Sequence, residues 1–527
     1  MMLFFEILVL LFAADSLAVG EFPRVLMTVQ QNSYRIDRYR RYLSTAGEST
    51  SIGRLLAMAL FLAVLIPGVP QVAALGALGV FFVWSGTDRL LRRRTYKHPV
   101  VFTPRVKRLH GVMCAISLLA ASAAFFLTGL SAIAAAEALL LCWILAPAIA
   151  IAALTLLQPV ENRINRKYIN EAADILRSMP DLKVIGITGS YGKTSTKHYL
   201  YRILSEQFAV CMTPGSFNTT LGVVRTIREH LKPFDRIFIC EMGAKQSGDI
   251  KEICDLVHPQ IGIITAVGPQ HLESFKTIEN VQRTKFELID SLPADGLAVV
   301  NDDFEYVANR PVNNVETIRY AVKARPEVQF SVSGIAYSAA GTDFTVHTPQ
   351  GDELKLHTRL VGECNVANLL AAVIVALHLG VEPRRIAYAV EQIEQVEHRL
   401  SIKRVPGGMT IIDDAFNSNP TGSAMALDVL AAMTGGRRIV ITPGMIELGD
   451  EQEALNAEFG RKIAGSADVA IIVGRYNRDA IMQGIGDAPA CEVHTVDTFA
   501  QAQALLHTLA RAGDTVLYEN DLPDTFK

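Results

Sequence analysis

A short stretch of the chain encodes a strand, a glycine-rich loop and the start of a helix: Val184-Ile-Gly-Ile-Thr-Gly-Ser-Tyr-Gly-Lys-Thr-Ser-Thr196. Its apolar residues 184–187 predict a buried strand, and Lys193-Thr194 begin the helix. Backbone N–H groups in such a loop, together with the positive end of the helix, form a cradle for phosphate. Lys193 would reach the outer phosphates, and the Thr194 hydroxyl would bind Mg²⁺. The stretch therefore predicts a site for a nucleoside triphosphate.

The loop does not follow the spacing G-x-x-x-x-G-K-[ST], because the first glycine of that pattern would fall at Ile187. Its own spacing, T-G-S-x-G-K-T, resembles the ATP loop of the Mur ligases and the folylpolyglutamate synthetases. The resemblance implies ATP contacts for Gly189, Ser190, Gly192, Lys193, Thr194 and Ser195. The alternative is a glycine-rich turn with a chance Lys-Thr pair, and the strand–loop–helix context argues against it.

Long uncharged blocks dominate the N-terminal part of the chain. Residues 55–84 and 111–136 contain no charged side chain, and Glu137 separates the latter from the apolar residues 138–157. A membrane span needs about 20 apolar residues, so we expect the last two blocks to lie in a membrane. A buried helix bundle is the alternative, but its helices would normally carry a polar face. Residues 3–14 are a weaker candidate span, and no basic segment precedes them as in a cleaved signal peptide.

Basic loops set the expected topology. Arginine and lysine are concentrated in residues 21–54, 86–110 and 163–167, and the positive-inside rule places such loops in the cytoplasm. Residues 55–84 are then expected to enter the membrane and turn back at 67–70, as two short arms or as a re-entrant hairpin. The last two apolar blocks would form a second hairpin. We therefore expect a multi-pass protein of the bacterial inner membrane, with about four to five membrane helices and cytoplasmic catalytic domains.

Four parts are expected along the chain: a membrane region at 1–158, an amphipathic linker at 159–180, an ATP-binding domain at 181–397 and a C-terminal domain at 398–527. In the last two parts apolar strand segments alternate with helical patterns, which favours largely parallel sheets. Residues 328–360 instead alternate apolar and polar side chains, as a small antiparallel insertion would. The predicted fold class is an α-helical membrane region, then a P-loop α/β domain, then a Rossmann-like α/β domain.

Three further segments carry residues suited to a metal site. Glu241 ends the apolar segment Phe238-Ile-Cys-Glu-Met-Gly243, and such sheet-end carboxylates suit Mg²⁺, which prefers oxygen ligands. His271 follows Thr265-Ala-Val-Gly-Pro-Gln, and Lys285 stands in Gln282-Arg-Thr-Lys-Phe-Glu287. In this order the segments resemble the MurF-type branch of the Mur ligases over about residues 180–518. The resemblance implies these metal ligands: Thr194, Glu241, His271 and a carbamylated Lys285. A solvated glutamate, a structural histidine and a surface lysine are the alternatives.

The resemblance also extends to the substrate side. Thr213-Pro-Gly-Ser-Phe-Asn-Thr-Thr-Leu-Gly222 is similar to the T-x-G-N-x-N-N-x-x-G loop of the family, with Asn218 matched but Ser216 and Thr219 in place of asparagines. The implied catalytic set is Lys193, Lys285, His271 and Asn218.

Four later segments resemble the nucleotide and amine sides of the same family. Gly362-Glu-Cys-Asn-Val-Ala-Asn368 is similar to G-x-H-N-x-x-N, Asp413-Asp-Ala-Phe-Asn-Ser-Asn-Pro420 to D-D-x-Y-N-A-N-P, and Pro443-Gly-Met-Ile-Glu-Leu-Gly449 to G-x-M-x-E-L-G. Arg399 matches the arginine at the entry to the third domain. The residues implied on the nucleotide side are Asn365, Asn368, Arg399 and Asp414. Those implied at the amine pocket are Asn417 and Asn419.

Two features depart from the family. Its usual N-terminal domain, which grips a UDP-sugar, is replaced by the apolar blocks. Near the C-terminus its K-G-S-R segment becomes Tyr518-Glu-Asn-Asp521, so that Glu519 and Asp521 replace a cation.

The resemblance implies an ATP-dependent ligase that adds an amino acid or a dipeptide such as D-Ala-D-Ala to a cell-wall precursor, at the membrane and with Mg²⁺. The acceptor would be a UDP-muramoyl tripeptide or a lipid-linked molecule. A membrane transport ATPase is the alternative, but Glu137 is the only charge in the three blocks, whereas transport paths usually carry several polar groups. A scaffold that only binds ATP is disfavoured by the intact set of site residues. The 7 cysteines form no C-x-x-C pair, and no basic run interleaved with aromatic residues indicates nucleic acid.

Overall fold

The structure is a computed structural model that describes residues 2–45, 52–66, 69–91, 99–338, 341–415, 418–486 and 491–522. The chain divides into two compact units. The first comprises Met1–Arg166 with Leu522–Lys527, and the second comprises Lys167–Asp521. Each unit is described by itself.

The first unit is helical. Its helices are α1 (Met2–Asp15), α2 (Phe22–Gln31), α3 (Ile36–Thr45), α4 (Ile52–Val64), α5 (Gln71–Leu91), α6 (Pro104–Leu127), α7 (Ala132–Ile144) and α8 (Ala146–Arg177). A π-helical segment, Ser16–Glu21, joins α1 to α2. Phe22, Leu78, Met113 and Leu140 are completely or almost completely buried in its core.

By length and composition, two helical runs of the described residues could cross a membrane: Met2–Gln31 and Pro104–Leu127. The pair α7 and α8, bent by 80°, would make a third if it formed one span. The apolar parts of α4 and α5 are shorter than these runs. Helix α4 ends before the expected turn at 67–70 and α5 begins after it. Pro67 and Gly68 of that turn lie outside the described residues.

Two helix boundaries in this unit differ from the sequence pattern. The turn after α6 is at residues 128–131 and not at Glu137, because Gly129 takes a positive φ of 73° and the Ser131 hydroxyl caps the start of α7. The expected linker at 159–180 is not a separate helix. Instead α8 runs continuously to Arg177 with Pro159 inside it, and the boundary between the two units falls within this helix.

In the second unit, a parallel sheet forms the centre of the first α/β domain. Its strands are β1 (Lys183–Thr188), β2 (Val210–Met212), β3 (Ile237–Glu241), β4 (Ile261–Ile264), β5 (Leu297–Asn301) and β6 (Glu316–Tyr320). They lie in the order β2-β3-β1-β4-β5-β6 and all pair in parallel. Strands β3, β4 and β5 are buried along their whole length, as a sheet covered on both faces requires.

Helices cover this sheet and connect its strands. They are α9 (Lys193–Leu204), α10 (Thr220–Glu229), α11 (Asp249–Val257), α12 (Leu272–Phe275), α13 (Ile278–Asp290), α14 (Glu305–Ala308), α15 (Glu363–His378) and α16 (Pro383–Glu391). The alternating segment after β6 forms a three-stranded antiparallel sheet, as its sequence pattern predicts. Its strands are β7 (Ser331–Ser338), β8 (Gly341–His347) and β9 (Glu353–Thr358).

A second α/β domain follows. Its strands are β10 (Ser401–Arg404), β11 (Thr410–Asp414), β12 (Arg438–Thr442), β13 (Val469–Val473), β14 (Glu492–Val496) and β15 (Thr515–Glu519). Its helices are α17 (Pro420–Ala431), α18 (Gln452–Ser466), α19 (Arg478–Ile485) and α20 (Phe499–Leu509). The strand order is β10-β11-β15-β12-β13-β14, and only β10 pairs antiparallel. The predicted order of a P-loop α/β domain and then a Rossmann-like α/β domain is confirmed.

Candidate active site

The phosphate loop between β1 and α9 needs its glycines. Gly192, which precedes α9, has a φ of 81°, and a Cβ atom there would lie 2.4 Å from Asn368 Oδ1. A Cβ atom on Gly189 would lie 2.1 Å from Thr265 Oγ1. Real side chains cannot approach this closely, so the loop backbone packs directly against β4 and α15. The loop thus presents its N–H groups at the start of α9, as an anion site requires.

Lys193 bends back over this loop. Its Nζ atom donates to the carbonyl oxygens of Gly189, at 2.6 Å, and Ser190, at 3.3 Å. Burial lowers the pKa of Lys193 to about 8, with Glu241 opposing and Arg399 assisting the shift. The ammonium therefore stands over the loop, close to one carboxylate and one guanidinium.

Glu241 is the centre of the site. Its Oε1 atom accepts from Thr194 Oγ1 at 3.2 Å and from Asn218 Nδ2 at 3.0 Å. Its Oε2 atom accepts from Lys197 Nζ at 3.0 Å, in an ion pair whose side chains are almost fully buried. Burial by itself raises the pKa of Glu241, but the attraction of Lys197 and Lys193 outweighs it, and the pKa is lowered. Glu241 is thus held as a carboxylate.

Sequence reasoning missed Lys197. It lies one helical turn after Lys193, on the same face of α9, and its Nζ atom also donates to the Gly215 carbonyl at 2.6 Å. Losing one partner of a buried ion pair typically costs about 3–5 kcal/mol. The four-residue spacing from the loop lysine was the signal that could have found it.

The oxygens of Thr194 and Glu241 fit Mg²⁺ only as part of a ligand set. The described residues contain no group of three His, Cys, Asp or Glu side chains that could hold a metal by themselves. However, Mg²⁺ is usually bound by one or two protein oxygens together with substrate phosphates and water. The adjacent Thr194 hydroxyl and Glu241 carboxylate, at the start of α9, match that arrangement.

Lys285 is not a surface lysine. It lies on α13 with 1% of its surface exposed, and no hydrogen bond or ion pair within the described residues reaches its amine. Burial, assisted by Lys193, lowers the pKa of Lys285 well below its ordinary value, with Asp249 and Glu287 opposing. A buried neutral amine is the form of lysine that reacts with CO₂, so the side chain suits the expected carbamate.

His271 joins the two α/β domains. Its Nδ1 atom contacts Glu447 Oε2, and the Glu273 backbone N–H donates to the Glu447 carbonyl at 3.2 Å. Burial lowers the pKa of His271, with Glu447 opposing the shift. Both His271 and Glu447 have a positive φ, 52° and 62°. Glu447 belongs to the Pro443–Gly449 motif, but its role as partner of His271 was not predicted.

The predicted asparagines of α15 lie beside α9. Asn368 Oδ1 accepts from Thr196 Oγ1 at 3.2 Å and adjoins Gly192. Asn365 bonds the Tyr199 hydroxyl at 2.8 Å and the Val361 carbonyl at 2.9 Å. Asn368 is therefore next to the phosphate loop, whereas both ends of the Asn365 amide are used to anchor α15.

Ser190 and Ser195, the two serines of the phosphate loop segment, have different positions. Ser190 Oγ donates to the Gly268 carbonyl at 3.0 Å and accepts from the Gly268 N–H at 3.1 Å, which fixes the loop to the segment after β4. Ser195 lies buried in the first turn of α9.

Arg399 and Asp414 bring the second α/β domain to the site. Burial lowers the pKa of Arg399, with Asp414 and Glu241 both opposing, so the guanidinium lies within electrostatic range of both carboxylates. Asp414 ends β11, and its Oδ1 atom accepts from the Leu400 N–H at 3.0 Å. Burial raises the pKa of Asp414 to about 6, against the attraction of Arg399.

Glu519 lies beside Asp414. The two residues are directly paired in the parallel strands β11 and β15, and Glu519 is fully buried. Ser418 Oγ donates to Glu519 Oε1 at 2.7 Å. Burial, followed by the charge of Asp414, raises the pKa of Glu519 well above its ordinary value. Burial thus disfavours the ionised form of the carboxyl group that replaces a cation in the sequence.

Only one of the two predicted amine-pocket asparagines lies within the described residues. Asn417 lies outside the described residues. Asn419 caps α17, where its Oδ1 atom accepts from the Gly422 N–H at 2.8 Å. Hydrogen bonds join Thr194, Asn218 and Lys197 to Glu241. Lys285 lies within electrostatic range of Lys193 and His271, and His271 contacts Glu447.

Comparison with known proteins matches both α/β domains. The family model for the Mur ligase middle domain matches residues 187–376, and that for the Mur ligase glutamate ligase domain matches residues 398–518. Together the two models cover more than half of the chain.

Individual proteins are also similar to this chain. UDP-N-acetylmuramoyl-tripeptide–D-alanyl-D-alanine ligase of Bacillus subtilis is 28% identical over 64% of this chain and 72% of its own length. The enzyme of the same name from Mycobacterium tuberculosis is 31% identical over 64% of this chain and 70% of its own length. A crystal structure of MurF from Acinetobacter baumannii is 27% identical, with a TM-score of 0.62 over 68% of this chain and 77% of that one.

Proposed function

Because the chain belongs to the Mur ligase family of ATP-dependent ligases, we propose that it joins a D-alanyl-D-alanine dipeptide to the carboxylate of a peptidoglycan precursor. The names of its relatives supply the two substrates. The observation that supports the proposal most directly is the group formed by Glu241, Thr194 and Lys197, which presents a carboxylate, a hydroxyl and an ammonium next to the phosphate loop.

In the first step the γ-phosphoryl group of ATP passes to the acceptor carboxylate and forms an acyl phosphate. The loop N–H groups and Lys193 hold the phosphates and neutralise the charge that develops on them. Thr194 and Glu241 would hold a Mg²⁺ ion that arrives with the nucleotide, and His271 with a carbamylated Lys285 would hold a second ion. Bound there, Mg²⁺ supplies positive charge to the phosphoryl oxygens.

In the second step the amine attacks the acyl carbon, the new C–N bond forms and phosphate leaves. Arg399 lies within electrostatic range of Glu241 and Asp414, so a guanidinium from the C-terminal domain shares the Glu241 carboxylate with Lys193. The enzyme then works mainly by positioning the three reactants and excluding water.

The membrane part of the proposal rests on the first unit. Runs Met2–Gln31 and Pro104–Leu127 are long and apolar enough to span. Arg35 follows the first run, and Arg105, Lys107 and Arg108 stand near the start of the second. We place the protein in the bacterial inner membrane with its catalytic unit in the cytoplasm, where ATP and the precursor are available.

Phosphate release by the purified full-length protein tests the reaction. We expect release to require ATP, Mg²⁺, UDP-muramoyl tripeptide and D-Ala-D-Ala together, and Lys193→Ala to abolish it. Lys183→Ala, an exposed lysine at the start of β1, is the matched control and should be near normal. Release that needs no amine, or near-normal activity of Lys193→Ala, would contradict the proposal.

A further inference from the structure

Tyr191 stands in the middle of the phosphate loop, at the variable position of the spacing T-G-S-x-G-K-T. Its backbone is fixed on the side of β4, because the Thr265 hydroxyl donates to the Tyr191 carbonyl. One residue earlier, the Ser190 backbone N–H donates to the Ala266 carbonyl at 2.8 Å. The Tyr191 side chain therefore starts from a backbone that is tied to the segment between β4 and His271.

The Tyr191 side chain packs closely on two segments of the first α/β domain. Its ring meets the Phe304 ring edge-on, with centroids 5.3 Å apart and an angle of 72° between the planes. Its hydroxyl lies over Gly268, where a Cβ atom would be only 2.6 Å from Tyr191 Oη. Gly268 does not have the positive φ that would itself favour glycine. The tyrosine ring is therefore what excludes a larger residue at this position.

The far end of the same side chain reaches the second α/β domain. Burial raises the pKa of Tyr191 to about 12, and a hydrogen bond with the Thr421 side chain opposes the shift. Thr421 is the second residue of α17, and it follows the Asn419 cap and Pro420. Tyr191 thus connects the phosphate loop to the first turn of the helix that follows the predicted amine-pocket segment.

We propose that Tyr191 is a positioning residue that seats the start of α17, and with it the amine side of the site, on the phosphate loop. A buried tyrosine hydroxyl usually has a hydrogen-bond partner, and here Thr421 of the other α/β domain is that partner. The amine has to meet the acyl phosphate within a narrow range of distance and angle, so the contact sets how well the amine is placed. The inference rests on the ligase reaction proposed above.

Steady-state kinetics of the full-length protein test this role. Tyr191→Phe removes the hydroxyl and keeps the ring, and Thr421→Val removes the partner. Each should raise the KM for D-Ala-D-Ala about fivefold, within the usual range for one neutral hydrogen bond, and leave the KM for ATP unchanged. The double variant should be no worse than either single variant, because both changes remove the same contact. Gly268→Ala should have a larger effect, and Tyr191→Phe should relieve part of it.

Hydroxylamine separates this inference from the ligase reaction itself. At high concentration it attacks an acyl phosphate without the amine pocket, so that a C–N bond forms, phosphate leaves and a hydroxamate is produced. Wild type and Tyr191→Phe should form hydroxamate at equal rates from ATP and UDP-muramoyl tripeptide. A wild type that forms no hydroxamate would contradict the proposed reaction, and hydrogen exchange would still test Tyr191.

Hydrogen exchange of the full-length protein without substrates tests the contact directly. Amides of residues 421–426 should exchange several-fold faster in Tyr191→Phe than in the wild type. Tyr201→Phe in α9 and Thr508→Val in α20 remove hydroxyls elsewhere, and both should match the wild type in exchange and in KM. Unchanged exchange at the start of α17 in Tyr191→Phe would overturn the proposal, and so would losses that simply add in the double variant.

Discussion

At the residue scale, the site consists of charges that hold one another in place. Glu241 receives three donors: Thr194 and Lys197 from α9, and Asn218 from the loop that precedes α10. Lys193 and Arg399 add positive charge around the same carboxylate. This arrangement keeps Glu241 ionised despite its burial and leaves the loop lysine directed at the phosphate loop.

Lys285 provides the sharpest test among these residues. Lys285→Ala should lower kcat by about 10²-fold, the usual effect of removing one stabilising group from a transition state. If the carbamate is the active form, acetate or bicarbonate should partly restore Lys285→Ala by placing a carboxylate in the vacated space. Lys285→Arg should not respond, because its guanidinium stays charged and fills that space.

Ligation rates of the wild type, Lys285→Ala and Lys285→Arg, measured with and without acetate or bicarbonate, test this prediction. Arg283→Ala, an exposed residue on the same helix, is the control and should not respond to the anions. Full activity of Lys285→Ala without additives would show that no carbamate is needed.

The Asp414–Glu519 pair predicts a pH dependence of stability. Both carboxyl groups have a raised pKa in the folded protein, about 6 for Asp414, against about 4 in an unfolded chain. Between these values the folded state binds more protons than the unfolded state, so stability should fall as pH rises from about 4 to 6 and beyond. Glu519→Gln mimics the protonated form, and should remove part of this fall and raise the melting temperature at pH 7.5.

Thermal unfolding of the full chain at pH 5.0 and 7.5 measures this effect. Glu458→Gln, on the exposed face of α18, makes the same change without burial and should not alter the pH dependence. A Glu519→Gln variant that is less stable than the wild type at pH 7.5 would show that the carboxylate is ionised and needed.

Sequence motifs predicted Lys193, Thr194, Glu241, His271 and Lys285 as site residues, because each sits in a segment with a recognisable neighbourhood, and their roles stay predictions. They could not predict the partners Lys197 and Glu447, because those contacts depend on packing between α9 and β3 and between two domains. Burial of Glu519 was also hidden, since a strand end reads as solvent-exposed until its neighbours β11 and β12 are known.

At the element scale, the strand ends and the segments that follow them build the site. The parallel strands β1 and β3 place the phosphate loop and Glu241 at one edge of the first sheet, as open α/β sheets usually do. Strands β11 and β15 place Asp414 and Glu519 at the corresponding edge of the second. Apolar periodicity predicted the strands, but not their order in the sheet.

The contact between His271, which follows β4, and Glu447, which follows β12, joins the two α/β domains. Glu447→Ala should lower kcat by about 10–100-fold, the usual cost of losing a group that orients a ligand residue. Glu447→Gln keeps a hydrogen-bond acceptor for the ring and should recover part of the loss. Both effects should appear in kcat more than in the KM for ATP, because the nucleotide loop is unchanged.

Steady-state kinetics with ATP measure this prediction. Glu451→Ala removes an exposed carboxylate from the same segment and should behave as the wild type. Equal losses in Glu447→Ala and Glu451→Ala would show that the segment matters only for folding.

At the scale of the whole molecule, the chain consists of a helical apolar unit and a second unit that contains the two Mur ligase domains. The sequence patterns predicted both units, since long uncharged blocks and alternating α/β segments are strong signals. They did not predict that α8 continues through the expected linker, because an amphipathic segment after a hydrophobic one reads as a change of element.

Topology follows from the basic loops. Reporters of cytoplasmic location fused at residue 100 and after residue 180 should both report the cytoplasm, because both sites follow basic loops and because α6 and the bent pair α7–α8 would enter the membrane and return to the same side. A reporter at residue 129, in the turn between α6 and α7, should report the opposite side. Opposite results at 100 and 180 would mean that the second apolar hairpin does not return the chain to the same side of the membrane.

Transfer of an isotope during turnover tests the central claim most directly. UDP-muramoyl tripeptide labelled with ¹⁸O in its terminal carboxylate is incubated with ATP, Mg²⁺, D-Ala-D-Ala and the full-length protein. An acyl phosphate requires that one carboxylate oxygen leave with the phosphoryl group. We therefore predict one ¹⁸O atom in each phosphate released, and no labelled phosphate from Lys193→Ala. Release of unlabelled phosphate would show that water, and not the acceptor carboxylate, receives the phosphoryl group.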